Sequence, residues 1–558
     1  MKMDRKKQNR LSAEWAAYGD ALGFMTELAD ASRVQYRIGA DEVQDTVPWK
    51  RKVGGYSGVK VELPAGTYSD DTQLRLATSR AIRGDGAFNV AAFAKVELPA
   101  WANYALGAGV GSKEAASNLA RTSATWYSNF FDSKKATYIS VGGNGAAMRI
   151  QPHVWAAPDL HNLNSIFLDV IRNSVCTHGH VRGIVGACFH ASSLSFALLN
   201  GRAANLAELK VMVNQLRSVV DVVNNDGDLR MFWLSVWSGC NKISFEEAVA
   251  QVVQEMLDDI NILEPLGEGI LEDVYPQAVN ALGGLTPSSR GSGTKTAILA
   301  SFVSLLADTS APKDALLKIV NVFGSDTDSI ATMAGAIIGS CTDQECEGAV
   351  QDRDYIRVEA ERLTLIAKGG EASSFRYPNL RSWKPARAAV DSIGIIDGHL
   401  WLNGIDRIEA ISSSPVAKIS GDLIGWFRLS FGQTILVRSR SEPRNIARER
   451  VSNELNLEKS ESRFAAEPPD RLRDLFEQDE GQKVSNDGHG KVVTSGLEGL
   501  TLNEMLQKII GGGFSPEMIG QALLQQVDEG GNDFVERGIA LTSNVLTAYE
   551  ARVKRRRK

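Results

Sequence analysis

Two short acidic motifs are the parts of this sequence best suited to form a catalytic or metal-binding site. The first is Ser69-Asp70-Asp71-Thr72 and the second is Asp326-Thr327-Asp328-Ser329. Neighbouring carboxylates repel each other, and burying them costs free energy unless a positive partner lies beside them. Hard divalent cations such as Mg²⁺ and Ca²⁺ bind oxygen ligands of this kind. If the two motifs converge, their carboxylates and hydroxyls predict a binuclear, all-oxygen metal site.

Each motif taken alone has a simpler interpretation as the cap of a helix. The first opens a predicted helix over 73–83, and the second enters a run of small residues over 331–339. Carboxylates at a helix N-terminus are stabilised by the helix dipole without any metal. An EF-hand is excluded, because Ile330 and Ala331 would occupy loop positions five and six, and position six requires glycine. The metal interpretation therefore depends on the two motifs meeting in space.

Other polar motifs are less specific. The segment Gly291-Ser292-Gly293-Thr294-Lys295-Thr296 lacks the adjacent Gly-Lys of a phosphate loop, so it predicts a flexible loop before a helix. His178 and His180 have no third ligand at zinc spacing. Four aromatic side chains are predicted to be core residues rather than a base-stacking platform: Trp126, Tyr127, Phe130 and Phe131.

The elements that must position these residues are mostly helical. Apolar residues over 243–260 form one stripe at helical spacing, and Ser244 with Glu247 forms a capping box at its start. Strand-like alternation is scarce over 11–385. The fold class predicted is mainly α, with one large helical domain over 11–385. Further helices are expected near 73–83, 113–129, 204–222, 295–307 and 330–340.

The pattern of apolar and polar residues changes after residue 385. Asp397-Gly398 and Asn403-Gly404 separate short apolar runs, which predicts hairpins in a small β-rich appendage over 386–440. The charged stretch 441–496 is predicted to be a disordered linker, because it buries too little apolar surface to order itself. A helical region over 497–558 ends in the basic tail 552–558. That tail is either a solvated end or an electrostatic contact to nucleic acid or another anionic partner.

Composition limits the class of protein. The net charge is −6, so the chain has no strongly basic body. Its five cysteines show neither a disulfide framework nor a CxxC zinc pattern, which favours a reducing cytoplasm. The N-terminus lacks an uninterrupted apolar segment. The longest apolar stretch, near 297–307, is short of the roughly 20 residues that a membrane-spanning helix needs, so no membrane association is expected.

Five motifs occur in order over residues 11–385. They are Gly19-Asp20-Ala21-Leu22-Gly23 with Glu27, Ser69 to Thr72, Gly143-Asn144-Gly145-Ala146-Ala147-Met148-Arg149, Thr177-His178, and Gly324 to Ser329. Through these motifs the segment resembles the ADP-ribosylglycohydrolase family, which includes the dinitrogenase-reductase-activating glycohydrolase. This resemblance implies an all-helical fold with two Mg²⁺ ions, or Mn²⁺ in some members, in a cleft.

The resemblance also implies a role for individual positions. Glu27 would be the acidic residue near the scissile bond, and Gly142, Asn144 and His178 would line the ADP-ribose pocket. The implied metal ligands are Ser69, Asp70, Asp71, Asp326, Asp328 and Ser329. Two positions differ from the family's motifs but keep a hydroxyl ligand, since Ser69 and Ser329 replace threonine. Ser325 stands where the family has a glycine.

The activity that the resemblance implies is removal of ADP-ribose from a modified protein or nucleic acid by cleavage of the glycosidic bond at the ribose C1″. Such a reaction passes through an oxocarbenium-like state, for which Glu27 could act as general acid or base. A Gly-Asn-Gly turn would let backbone N–H groups approach a pyrophosphate. Two alternatives stay open: an immunity module that binds and neutralises an ADP-ribosyltransferase, and a hydrolase of a small ADP-ribosylated metabolite. The acceptor linkage is not specified by the sequence.

Overall fold

The computed structural model of the chain describes residues 3–53, 58–380, 383–411, 415–419, 422–446 and 502–528, together with positions 541–542, 545–546 and 549. The chain divides into two units, Met1–Ala466 and Glu467–Lys558. Most of the predicted linker, from residue 447 onward, lies outside the described residues, and so does the basic tail 552–558.

The prediction of a mainly α fold is confirmed, with 55% of residues in helices and 10% in strands. In chain order the helices of the first unit are α1 Arg5–Thr26, α2 Ala31–Ile38, α3 Asp70–Ala81, α4 Val90–Ala92, α5 Leu98–Trp101, α6 Val110–Leu119, α7 Gln151–Trp155, α8 Leu163–Val175, α9 Val181–Asn200, α10 Leu206–Gln215, α11 Val219–Asn225, α12 Ser235–Cys240, α13 Phe245–Leu263, α14 Leu271–Ala281, α15 Gly293–Leu306, α16 Pro312–Val320, α17 Thr327–Cys341 and α18 Arg353–Ala367.

Local signals predict several of these helices well, and α6 shows where they fail. Helix α13 begins directly after Ser244, whose hydroxyl accepts a hydrogen bond from Glu247 N at 3.1 Å. The helix expected over 113–129 instead ends at Leu119. There the Lys95 ammonium donates to the carbonyl oxygens of Leu119 and Arg121, each at 2.7 Å. A distant lysine thus satisfies carbonyls that would otherwise require the helix to continue.

The aromatic cluster after α6 agrees with the core prediction. Trp126 and Phe131 are buried, and Tyr127 and Phe130 are partly buried against the same core. Tyr127 stacks on Phe232 with ring centroids 5.0 Å apart. The rings therefore fill the interior rather than forming an open platform.

A two-stranded hairpin interrupts the helical body and was not expected from the sequence. Strand β1 is Trp49–Val53 and strand β2 is Val59–Leu63, and they pair antiparallel with Trp49 opposite Leu63. Trp49 and Leu63 are buried, whereas Lys50 alternates with them and is exposed. The alternation is too short and too rich in lysine to stand out from a helical or loop segment.

The predicted hairpins after residue 385 are confirmed. Strand β3 Ile393–Ile396 pairs with β4 His399–Leu402 across Asp397 and Gly398, which both have positive φ. Such a turn matches the twist of the strands that it joins. The further strands are β5 Asp406–Ala410, β6 Ala417–Ile419, β7 Asp422–Leu429, β8 Thr434–Arg440 and β9 Arg444–Asn445, and the sheet order is β6-β7-β5-β4-β3-β9 with β8 beside β7.

Buried polar contacts tie this sheet to the helical body. The Asp352 carboxylate accepts from Tyr68 Oη at 2.6 Å and from Thr434 N at 2.7 Å. The buried Arg80 guanidinium pairs with Glu97 at 2.8 Å and donates to Gln433 Oε1 at 2.6 Å. Because Tyr68 immediately precedes the first acidic motif, the start of β8 is linked through one carboxylate to that motif.

Helices α1 and α17 pack with their backbones in contact, and two glycines make this possible. A Cβ added at Gly19 would lie 2.4 Å from Ala331 O, and one at Gly23 would lie 2.5 Å from Asp328 Cα. No side chain other than hydrogen fits at these distances, and small residues on α17 complete the contact. The end of α1, which carries Glu27, is thereby brought beside the second acidic motif.

Replacing Gly23 with alanine is therefore expected to destabilise the protein by about 3 kcal/mol, since the added methyl forces two packed backbones apart. Chemical denaturation followed by tryptophan fluorescence measures the change. Gly239→Ala is the matched control, because Gly239 lies in α12 and a methyl added there would have nothing within 4 Å. That control should be neutral or more stable by about 1 kcal/mol. Equal stabilities for the two variants would contradict the close contact.

One described helix, α9, is long and apolar enough to cross a membrane by length and composition, and 83% of its apolar window is buried inside the protein. The expectation that no stretch reaches this length is therefore wrong. Polar residues within it, such as His190 and Ser193, interrupt the apolar run without breaking the helix. Its burial is typical of a core helix.

The second unit has a small core of its own. Helices Leu502–Gly511 and Pro516–Asp528 are described there, and their buried side chains include Met505, Ile509 and Ala522. The five cysteines all lie in the first unit. They are free thiols, in agreement with the expectation of no disulfide framework.

Candidate active site

The first acidic motif is held in place by a carboxylate from another helix. Ser69 is the N-cap of α3, and its hydroxyl accepts from Asp71 N at 3.2 Å. The buried Asp20 carboxylate of α1 accepts from Ser69 N at 2.8 Å and from Thr72 N at 2.9 Å. Asp20 and the Ser69 hydroxyl thus accept from N–H groups at the start of the helix, which leaves the carboxylates of Asp70 and Asp71 free of that role.

The second acidic motif opens α17. Gly324 has φ of +86°, so the chain turns sharply just before the motif. Asp326 occupies the N-cap position of α17 without a side-chain cap, and its Oδ2 accepts instead from Asn144 Nδ2 at 3.0 Å. The cap interpretation is therefore right for Ser69 and wrong for Asp326, whose side chain faces another segment.

Both motifs contribute to the walls of one cleft of about 360 Å³. Ser69 is the exception among the predicted site residues, since it is fully buried behind the wall with its hydroxyl bonded to the backbone. The predicted site residues that line the cleft are Glu27, Asp70, Asp71, Gly142, Asn144, His178, Asp326, Asp328 and Ser329. Residues separated by some 300 positions in the sequence thus meet at one surface.

Burial and mutual repulsion govern the charge of the four aspartates. Burial raises the pKa of Asp70 and of Asp328 well above the ordinary carboxyl value, and the nearby charge of Glu27 raises both further. Burial, followed by the charge of Asp20, raises the pKa of Asp71 in the same direction. The pKa of Asp326 is also raised, chiefly by burial. A cation would relieve this repulsion.

One atom of this cluster lacks any hydrogen-bond partner. Asp71 Oδ2 is buried and unpaired, which is costly for an ionised oxygen. Its need for a positive partner fits the chemistry of an oxygen ligand. Among the described residues, however, no three histidine, cysteine, aspartate or glutamate side chains are already gathered into a set that could hold a metal ion. The donors share the cleft, and a cation would have to draw them together.

The glycine-rich loop of the cleft is paired with a second glycine-rich segment. Gly143 and Ser292 form an antiparallel bridge, and Asn144 N donates to Gly291 O at 2.9 Å. The flexible loop predicted from residue 291 is thus an ordered partner that leads directly into α15. The Asn144 N–H is already used, so the expectation that it approaches a pyrophosphate is wrong for this group.

A buried arginine joins the glycine-rich loop of the cleft to Thr177. Arg149 Nη1 donates to Gly145 O and Nη2 donates to Thr177 Oγ1, each at 2.8 Å. The Thr177 hydroxyl in turn lies 2.7 Å from His178 Nδ1. Burial, with a smaller contribution from the Arg149 charge, lowers the pKa of His178 to about 3. His178 is therefore a neutral imidazole that lines the cleft at physiological pH.

Glu27 lies directly after the end of α1, at the rim of the cleft. Its Oε2 accepts from Arg51 Nη2 at 2.9 Å. Sequence motifs and spacing predicted no role for Arg51, for Arg149 or for the Asp20 carboxylate. The position of Asp20 could have indicated a role in the site, because Asp20 lies on α1 two helical turns before Glu27 and so faces the same side. Arg51 gave no such indication, because its hairpin was not expected.

A family model described as ADP-ribosylglycohydrolase matches residues 15–364. Among solved structures, the chain is similar to one described as an ADP-ribosylglycohydrolase-related protein complex, with 16% sequence identity and a TM-score of 0.41. That match covers 65% of this chain and 99% of the other. No curated protein matches the chain.

Proposed function

The chain belongs to the ADP-ribosylglycohydrolase family, whose members are hydrolases of ADP-ribose linkages, and on that premise we propose that it removes ADP-ribose from a modified macromolecule by cleaving the glycosidic bond at the ribose C1″. The observation that carries the proposal is the convergence of Glu27 with both acidic motifs and the glycine loop on one cleft. Cleavage of this bond develops positive charge on the ribose. Fixed carboxylates beside the bond would stabilise that charge in the transition state.

We propose two divalent cations, Mg²⁺ or Mn²⁺, as the cofactors. The unpaired Asp71 Oδ2 and the raised pKa values of its neighbours support a positive partner in the cleft. When bound, such ions supply Lewis-acid polarisation of the oxygens that they touch. The residues that would hold them are Asp70, Asp71, Asp326, Asp328 and Ser329, with the Ser69 hydroxyl behind them.

The remaining residues have roles that do not require a metal. Glu27 would accept a proton from the attacking water or deliver one to the leaving group. His178, as a neutral imidazole, would donate or accept a hydrogen bond on the ADP-ribose without adding charge. The Asn144 side chain donates to Asp326 Oδ2 and so would hold the glycine loop beside the second acidic motif when ADP-ribose binds.

Incubation of the purified protein with ADP-ribosylated arginine, serine and nucleic-acid substrates, with Mg²⁺ or with excess chelator, tests both proposals. We expect release of free ADP-ribose from at least one macromolecular substrate. Chelation should lower the rate by about 10³-fold, because several kcal/mol of charge stabilisation are lost, and added Mg²⁺ should restore it.

The outcomes separate the alternatives. Full activity in excess chelator would exclude the metal. Release from small ADP-ribosylated molecules alone would replace the macromolecular substrate with a metabolite. No release from any substrate, together with inhibition of an ADP-ribosyltransferase, would favour the immunity module. No contact of the residues that the structure describes favours either alternative, and the basic tail lies outside them.

A further inference from the structure

The backbone at Glu27 is held in an unusual conformation. Helix α1 ends at Thr26, and Leu28 has φ of +50°, a left-handed conformation that a leucine adopts only when its surroundings impose it. Leu28 N donates to Ser325 O at 3.2 Å, directly before the second acidic motif. The position of Glu27 is thus imposed by contacts rather than by local preference.

Arg37 of α2 holds the backbone on one side of Glu27. Its Nη1 donates to Met25 O at 3.0 Å and to Glu27 O at 3.1 Å, which satisfies carbonyl oxygens at the end of α1. Burial, followed by the neighbouring Arg51 charge, lowers the pKa of Arg37 to about 10, so it stays positively charged at neutral pH. Two guanidinium groups therefore lie close together at this end of the helix.

Arg51 of β1 holds the side chain. Its Nη2 lies 2.9 Å from Glu27 Oε2, and its guanidinium covers the Phe24 ring at 4.1 Å. The Trp49 ring lies 5.7 Å from both Arg37 and Arg51. Stacking on aromatic rings restricts the guanidinium, so its ion pair with Glu27 has a defined direction.

This arrangement is not the one that stability alone would select. Arg51 Nη1 is buried with no hydrogen-bond partner, and an unmade hydrogen bond of a buried donor destabilises the folded protein. Glu27 itself faces Asp70 and Asp328 in the same cleft, and like charges repel it from them.

We propose that Arg51 is a positioning residue for the reaction, which holds the Glu27 carboxylate in a defined orientation at the rim of the cleft. The β1–β2 hairpin is then the element that delivers this residue to the site. Arg51 acts through Glu27 and is not among the residues that line the cleft. This inference rests on the proposed function.

A double-mutant cycle tests this role. Arg51→Met keeps the stacked aliphatic part of the side chain and removes the charge. We expect it to lower kcat by about 10–100-fold, with KM changed less than about 2-fold, as misplacement of a reacting group does. In a Glu27→Gln background the same change should have almost no further effect, because the two residues act as a unit. Arg51→Lys should recover part of the lost kcat, since it keeps the positive charge.

Lys50→Met is the matched control, because Lys50 lies on the same strand with an exposed side chain. It should leave kcat unchanged, and thermal melting should show all variants folded. Equal losses from Arg51→Met in both backgrounds, or a loss in KM alone, would overturn the positioning role while the proposed function stands. If Arg51→Met does not fold, Arg51→Lys is measured instead. A kcat of Arg51→Lys no higher than that of Glu27→Gln would then overturn the positioning role as well. A wild-type protein inactive on the whole substrate panel would overturn both proposals.

Discussion

Replacing Asp328 with asparagine is expected to lower kcat/KM by about 10³-fold or more, without loss of folded protein. Asp328 lies in the first turn of α17, lines the cleft and has a pKa raised by burial and by the charges of Glu27 and Asp71. The amide keeps the size of the side chain but removes the charge, so several kcal/mol of cation binding are lost. Release of ADP-ribose at saturating Mg²⁺ measures the effect.

The same substitution should leave the metal-free protein as stable as the wild type or more so. Burial, and then the charges of Glu27 and Asp71, raise the pKa of Asp328 in the folded state. A carboxyl whose pKa is raised by folding favours the folded state when protonated and loses that contribution as pH rises through the raised value. At neutral pH the ionised group is therefore unfavourable, and a neutral amide removes the cost.

Thermal unfolding separates these effects. In excess chelator, the melting temperature of Asp328→Asn should equal or exceed that of the wild type, and added Mg²⁺ should raise it less than it raises that of the wild type. Metal-free wild type should also gain stability as pH falls from neutral toward about 4, the ordinary range of carboxyl groups. This gain should be smaller in Asp328→Asn.

Asp226→Asn serves as the opposite control. Asp226 pairs with Arg172 and accepts from Leu229 N at 2.8 Å, outside the cleft. Its substitution should lower stability and spare the specific activity of the folded protein. If Asp328→Asn retained activity, or if its loss simply followed a loss of folded protein, a charged role for Asp328 would be excluded.

Replacing Glu27 with glutamine is expected to lower kcat by about 10²–10⁴-fold, the range over which general acid–base catalysis contributes. The glutamine oxygen can still accept from Arg51, so the side chain should keep its place at the rim. ADP-ribose should bind with an affinity within about threefold of the wild type, because Asn144, His178 and the glycine loop are unchanged. Single-turnover kinetics and calorimetric titration of ADP-ribose measure the two quantities.

Glu62→Gln is the matched control for Glu27, because Glu62 is an exposed glutamate on β2 of the neighbouring hairpin. Its activity should equal that of the wild type. An unchanged kcat in Glu27→Gln would remove Glu27 from the reaction. Loss of ADP-ribose binding in parallel with kcat would instead give Glu27 a structural role in the pocket.

Features that depend on a few neighbouring residues could be predicted from the sequence. Ser244 begins α13, and Asp397-Gly398 turns a hairpin, because hydroxyl caps and positive φ act within three or four residues. The acidic motifs could be identified for the same reason, since adjacent carboxylates at helix starts are visible in the chain itself. Their assignment to one site, however, came from the resemblance and from pairing them.

Tertiary structure decided what those motifs could do together. The backbones of α1 and α17 touch at Gly23, and this contact sets Glu27 beside Asp328. Asp20 accepts from the N–H groups of Ser69 and Thr72 in the first motif, whereas Asp326 accepts from Asn144 rather than capping its own helix. Local sequence spacing predicts neither of these hydrogen-bond patterns, because each depends on a partner that is distant in the sequence.

The acidic residues themselves, their helix-opening positions and the mainly helical class were determined by the sequence alone. Arg51 marks the limit of such reasoning. An arginine in a short, lysine-rich strand has no local signal of function. Only the packing of its hairpin, through Trp49 and Arg51, against Phe24 of α1 gives it a partner in Glu27. Capping and periodicity act over a few residues, whereas an ion pair between segments depends on the free energy of packing the whole body.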